Sequence, residues 1–277
     1  MDPAEIEEVE LQLFIRALKL RHGYDFSQYA PASFKRRVQN LASATGARNI
    51  SELTGRLIHD EGFLPQVIEK LSVPVSEMFR EPVTFKLLRD EVLPQLASYP
   101  HINVWQAGCA HGEEVYSAAI MLLEAGLFAR TQIYATDISD AALARAHEGI
   151  YSARELQLYQ DNYRRAGGSA QLSDYFTGGY DLLKMRDELR AGITFANHNL
   201  VADGVFGEMH LILCRNVLIY FNDQLQERVL RLFRDSLVRS GFLAVGSRES
   251  LAFSAVAHDF HAVRKGVPLY QLRRRGE

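Results

Sequence analysis

The stretch Val104-Trp-Gln-Ala-Gly-Cys-Ala-His-Gly-Glu-Glu-Val-Tyr-Ser117 constrains the fold of this chain more than any other segment. An apolar run of strand character enters a loop of small residues, and the loop passes straight into a helix-forming sequence. Such a turn is where a doubly wound α/β sheet brings its backbone against a ligand. About twenty residues further on, Tyr134-Ala-Thr-Asp137 sets a carboxylate at the tip of a second expected strand, a position from which an acid holds a ribose diol. Taken alone, the loop is equally well explained as a tight strand-to-helix turn. Asp137 tips the balance toward a ligand site.

The loop departs from the dinucleotide pattern, because Gly108 and Gly112 are four apart and Glu113 and Glu114 follow at once. A helix N-terminus suits a pyrophosphate, but two carboxylates there repel one. Ala107 and Gly108 let a ligand approach the backbone closely. The expected ligand is therefore a nucleoside carrying positive charge, and S-adenosylmethionine, with its sulfonium and ammonium groups, fits.

Around this loop the chain alternates. Strands are expected near 102–107, 132–136, 193–197, 209–214 and 242–246, and helices near 113–125, 139–147 and 223–239. That alternation predicts a doubly wound, mostly parallel α/β sheet of Rossmann-like class, with helices on both faces. A polar, glycine-punctuated stretch at 151–192 breaks it and reads as an insertion with a small antiparallel hairpin, and 258–272 reads as a closing hairpin. Residues 1–72 read as a separate helical N-terminal domain. There Asp2, Pro3 and Glu5 form a capping-box start, and Gly23 suits the end of the first helix. Pro74 and Pro82 bound a linker at 73–82, and the sheet domain occupies 83–277.

Two further polar clusters end expected strands. Phe195-Ala-Asn-His-Asn-Leu200 offers amides, which read an adenine edge by donating and accepting together; a turn-capping asparagine is the blander explanation. His210-Leu-Ile-Leu-Cys-Arg-Asn-Val-Leu-Ile-Tyr-Phe221 runs apolar and then stops at Arg215-Asn216. His198 and His210 have no partner at a metal-ligand spacing, so no metal site is expected. The chain of 277 residues carries a net charge of −3, 47% hydrophobic residues and two cysteines. These values give no sign of nucleic-acid binding or of a disulfide framework. With no apolar run of roughly 18 residues and no apolar leader near Met1, the expected location is the cytoplasm, without membrane insertion.

In order along the chain, Met78-Phe-Arg-Glu-Pro82, Ala107-Gly-Cys-Ala-His-Gly-Glu-Glu-Val-Tyr-Ser117, Ala135-Thr-Asp-Ile138, His198-Asn-Leu200 and Leu213-Cys-Arg-Asn-Val-Leu-Ile-Tyr-Phe221 resemble the motifs of the CheR family, chemotaxis protein-glutamate O-methyltransferases. The resemblance covers nearly the whole chain. It implies S-adenosylmethionine as cofactor, S-adenosylhomocysteine as product, and the cytoplasmic helical bundle of a chemoreceptor as acceptor. It implies that Ser76 and Arg80 reach the cofactor, that Glu113 or Glu114 lies near its methionine end, and that Asp137 binds the ribose. Asn199 and Leu200 would flank the adenine, Asn216 and Val217 would line the methionine side, and Arg215 and Tyr220 would belong to the acceptor side.

Arg80 and Arg215 are thus the candidates to fork onto an incoming carboxylate, with Tyr220 as a weaker hydrogen-bond donor. Lys35, Arg36 and Arg37, which alone read as a solvated helix face, become the expected receptor contact. Pro74 stands where the family usually has an asparagine. The short turn Phe176-Thr-Gly-Gly-Tyr180 argues against docking of a receptor's C-terminal pentapeptide on the insertion. A non-catalytic module that binds the cofactor or its product within a signalling complex is the alternative reading.

Overall fold

The computed structural model describes residues 1–179 and 181–274. Its centre is a seven-stranded sheet made of β1 (Ile102–Ala107), β2 (Thr131–Asp137), β6 (Ile193–Asn197), β7 (Met209–Cys214), β8 (Leu237–Val245), β9 (Phe260–Ala262) and β10 (Leu269–Leu272), in the order β6-β2-β1-β7-β8-β10-β9. The first five strands in that order pair parallel, and β10 joins β8 and β9 antiparallel as the expected closing hairpin. The sheet is mostly parallel, as the alternation predicts. β1 and β7 bury nearly every residue, as a strand covered on both faces must.

Helices α7 (Glu113–Glu124), α8 (Asp140–Glu148) and α11 (Asp223–Ser236) connect these strands. α11 stops three residues short of its expected end, because Leu237 already pairs with Met209 of β7. The helix after Pro82 is not regular. α5 (Pro82–Leu87) and α6 (Leu93–Leu96) flank a π-helical stretch at Leu88–Val92. Pro94 has no N–H and its ring crowds the carbonyl four residues back, so the ladder widens there.

The insertion holds α9 (Leu156–Arg165), α10 (Asp187–Ala191) and a three-stranded antiparallel sheet. In that sheet β5 (Leu182–Met185) lies between β3 (Ile150–Ser152) and β4 (Phe176–Thr177). Of the turn joining β4 to β5, Tyr180 lies outside the described residues.

The N-terminal part is helical: α1 (Pro3–His22), α2 (Pro31–Thr45), α3 (Ile50–His59) and α4 (Leu64–Leu71). The Asp2–Glu5 capping box forms in both directions, and Gly23 ends α1 in the left-handed region. These helices bury their own cluster, including Phe14, Leu18, Phe34, Leu41 and Leu57. A short antiparallel bridge stitches them to the sheet. Tyr29 pairs with Phe221, Ala30 N–H donates to the Tyr220 carbonyl at 2.8 Å, and Asn222 N–H donates to the Gln28 carbonyl at 2.9 Å. No helix among the described residues is long and apolar enough to cross a membrane.

Candidate functional site

Strand ends and helical domain enclose one deep cavity of about 980 Å³, its open mouth included. It lies at the C-terminal edge of the parallel strands, where open α/β sheets place ligands. Of the expected site residues, Ser76, Arg80, Gly108, Glu114, Asp137, Asn199, Leu200, Arg215, Asn216, Val217, Tyr220 and Arg37 line it. Ala107, Glu113, Lys35 and Arg36 do not.

The loop after β1 is pinned first. Gly108 and Cys109 both donate their N–H to the Thr136 carbonyl, at 2.8 and 2.9 Å. Gly108 has φ +74°, and a Cβ there would sit 2.5 Å from Cγ2 of Val217; both facts demand glycine. Asp137 accepts from Ala110 N–H at 2.9 Å and from Ser139 N–H at 3.0 Å. Burial pushes its carboxyl above the usual range, against those two donors. Backbone bonds therefore hold the acid at the cavity floor.

The two glutamates after the loop part company. Glu114 faces the cavity and is held by Arg215 Nη1 at 2.6 Å and Gln106 Nε2 at 3.1 Å. Glu113 is buried outside the cavity. Burial raises its carboxyl to about 7, opposed by the Ser76 hydroxyl, and its Oε2 has no partner. Of the two, the cavity meets only the Glu114 carboxylate at this helix start, and Arg215 balances it.

Arg215 is a correction to the sequence reading. Its side chain is 0% exposed. Besides Glu114, its guanidinium reaches Glu81 Oε2 and the Arg80 carbonyl, both at 2.8 Å. A fork so occupied is not free to grip an acceptor. Arg215 ties the linker to the sheet instead. Arg80 lines the cavity and has no ion-pair partner among the described residues.

The basic cluster on α2 is also corrected. Lys35 pairs with Glu7 at 2.6 Å. Arg37 is buried, donates to the Leu71 carbonyl and to Ser33, and lies 4.7 Å over the ring of Tyr220. Only Arg36 of the three is exposed. Asn199 follows the blander expectation in part: its side-chain oxygen accepts from Val201 N–H at 3.0 Å as a turn cap. His198 lines the cavity, edge-on to Trp105 at 5.2 Å. No metal-ligating cluster exists among the described residues.

Two residues were not anticipated. Glu249 is buried and accepts from the N–H groups of Asn216 (3.0 Å), Ile219 (3.2 Å) and Gly246; burial raises its carboxyl above the usual range, opposed by these donors. Glu81 takes Arg215 together with the backbone and hydroxyl of Ser247. Burial pushes Glu81 up, but those partners outweigh it and leave its carboxyl below the usual range. The strain follows the same map. Of five non-glycine residues with positive φ among the described residues, Phe79, Glu81, Ala110 and Asn216 sit in the linker or the two site loops. Such conformations persist where surrounding contacts over-determine them. Here Ser117 Oγ accepts Phe79 N–H at 2.8 Å and Asn162 of α9 donates to the Met78 carbonyl at 3.1 Å, so the insertion helps to hold the linker.

Asn216 Oδ1 and Gln106 Oε1 are buried acceptors with no partner among the described residues. They suit an ammonium group. The acid at the end of β2 suits a ribose, and the glycine cradle suits a closely held nucleoside. The residues fit S-adenosylmethionine.

Fold and cavity define an α/β domain that takes a nucleoside cofactor at its strand ends, capped by a helical domain. The family described as CheR methyltransferase, SAM binding domain, matches residues 74–266, and the CheR methyltransferase all-alpha domain matches residues 9–72. The chain is 47% identical to "Putative methyltransferase Cher3" of Pseudomonas putida over 264 residues, 95% of this chain and 97% of that one. It is 31% identical to the chemotaxis protein methyltransferase of Listeria innocua, over 88% and 91% of the two chains. Among solved structures it is similar to the magnesium protoporphyrin IX methyltransferase of Synechocystis with bound SAM, with a TM-score of 0.37 and 16% identity over 78% of this chain and 92% of that one. The chain belongs to the CheR methyltransferase family and uses S-adenosylmethionine.

Proposed function

We propose that the protein methylates glutamate side chains on the cytoplasmic helices of a chemoreceptor, giving glutamate methyl esters. The observation that carries this reading is Arg80, which lines the cavity without an ion-pair partner among the described residues, while its neighbours Glu81 and Arg215 are paired with each other. A free guanidinium at the mouth of a cofactor cavity suits a carboxylate acceptor.

Bound in the cavity, S-adenosylmethionine supplies an electrophilic methyl group. Asp137 and the loop at Gly108 would hold its nucleoside, and Gln106, Glu114 and Asn216 its amino-acid end. A glutamate with an ordinary pKa near about 4.3 is already ionised at neutral pH, so no general base is required. What the protein supplies is position and exclusion of water. Arg80 orients the acceptor oxygens, and Tyr220, its ring packed under Arg37, offers a directional hydrogen bond. Arg215 holds Glu114 and the linker in place and acts on the reaction only through them. Arg36 is the docking cation left on α2.

The test is transfer of label from S-adenosylmethionine to a purified chemoreceptor cytoplasmic fragment of the same organism, read as base-labile label released as methanol. Arg80→Ala and Tyr220→Phe should each lower turnover, Arg80→Ala by about 10²-fold. Unchanged turnover in both variants would remove their assignment. Cofactor binding without any transfer would overturn the reading in favour of a non-catalytic binding module.

A further inference from the structure

Phe26, Tyr29, Arg37, Leu71 and Ser72 bring the helical domain to the cavity. Tyr29, Arg37 and Ser72 carry the polar side chains of this wall, and two of them are spent inside the domain. Arg37 gives its nitrogens to Ser33 and to the Leu71 carbonyl, and the Ser72 hydroxyl donates to the Glu69 carbonyl at 3.1 Å. The Tyr29 hydroxyl has no hydrogen-bond partner among the described residues. A phenol withdrawn from water ordinarily finds a partner. On this wall Tyr29 is the group left to meet a ligand.

Its place is fixed from both domains. Tyr29 forms the bridge with Phe221, and Ala30 beside it donates to the Tyr220 carbonyl. The Tyr29 ring packs 4.7 Å from that of Phe26 and 5.1 Å from that of Phe221. The charges around it say which end of the cofactor it meets. Burial raises its phenol above the usual range, Arg37 opposes the rise, and Asp137 adds to it. Of the two acids that line the cavity, Glu114 and Asp137, the latter is thus the one whose charge reaches Tyr29. Ile138, next to Asp137, packs against the helical cluster as well. A phenol so shifted keeps its proton at neutral pH and donates.

A ribose held by Asp137 has room for such a donor. A carboxylate only accepts, so hydroxyls that turn their hydrogens to Asp137 keep oxygen lone pairs free. The backbone N–H groups of Ala110 and Ser139 are bonded to the acid itself. We propose that Tyr29 is a cofactor-binding residue, its hydroxyl donating to a ribose oxygen from the wall that faces Asp137. Recognition of the ribose is then two-sided, with an acceptor from the sheet and a donor from the helical domain. The helical domain does more than cover the cofactor: it takes one of its hydrogen bonds.

Calorimetric titration of the full chain with S-adenosylhomocysteine, and with analogues lacking one or the other ribose hydroxyl, tests this. Tyr29→Phe keeps the ring and removes only the hydroxyl. It should raise the dissociation constant of S-adenosylhomocysteine about fivefold. That penalty should vanish for the analogue that lacks the accepting oxygen. Urea unfolding without ligand should be the same for variant and wild type, since the hydroxyl bonds nothing in the protein. This second measurement separates a lost cofactor contact from a lost structural one. Undiminished affinity of Tyr29→Phe for S-adenosylhomocysteine overturns the proposal. An equal penalty with both analogues places the hydroxyl away from the ribose and overturns it too. So does a loss of stability in the unliganded variant with no loss of affinity.

Discussion

The two walls of the cavity rest on different physics. On the sheet wall, the charged groups have their direction set by backbone or by an opposite charge: Asp137 by two N–H groups, Arg215 by Glu114 and Glu81, and Glu249 by the backbone N–H of Asn216. The helical wall holds its place through aromatic packing of Phe26, Tyr29 and Phe221, the cation–π contact of Arg37 with Tyr220, and one short bridge. Hydrogen bonds to charged groups are directional and costly to break when buried. Apolar contacts tolerate small slips. The sheet wall is therefore built to hold a cofactor in one geometry, and the helical wall to close over it.

The strongest way to break this contrast is Arg215→Ala. It leaves buried Glu114 and half-buried Glu81 without their shared cation and should cost about 3–5 kcal/mol of stability, measured by urea unfolding. A loss under about 1 kcal/mol would mean that the sheet wall is not held by this pair.

Next comes Glu113→Gln. The folded-state carboxyl of Glu113 lies at about 7, above its unfolded value of 4.5, because burial disfavours the charge. Between those values the folded state binds more protons than the unfolded one, so stability falls as pH rises through the window. Removing the carboxyl removes that fall. The variant should gain on the wild type by up to about 3 kcal/mol between roughly pH 4.5 and pH 8. Parallel stability–pH curves for the two proteins would contradict it.

The smallest effect belongs to the helical wall. Arg37→Leu loses the contact with Tyr220 and the bond to the Leu71 carbonyl, an expected cost of about 1–2 kcal/mol. Turnover should fall more than cofactor affinity. A loss equal to that of Arg215→Ala would erase the contrast between the walls.

Much of the sheet wall is written in short range. A strand, a small-residue loop and an acid about twenty residues later are local signals, and the structure puts Gly108 and Asp137 side by side. Glu81 and Glu249 left no such trace. One sits in a linker and the other in a polar loop, and their partners lie 134 and 33 residues away in sequence. Arg37 did leave one. It falls three residues after Phe34 and four before Leu41, both buried, which places it on the inner face of α2. Three consecutive charges masked that phase. The stop of α11 at Ser236 depends on strand pairing with Met209, which no local periodicity encodes.

The cavity draws its lining from six separate stretches between Phe26 and Phe221, and Glu249, which braces one of them, lies further still. No fragment of the chain owns the site. During synthesis the cofactor has nothing to hold until the strands around β1 have assembled and the first helices have docked back onto them. Such long-range closure comes late in folding. A ligand that binds only the finished arrangement stabilises both domains together. Cofactor occupancy is then a measure of whole-chain integrity, and a destabilising change far from the cavity should appear first as weakened binding.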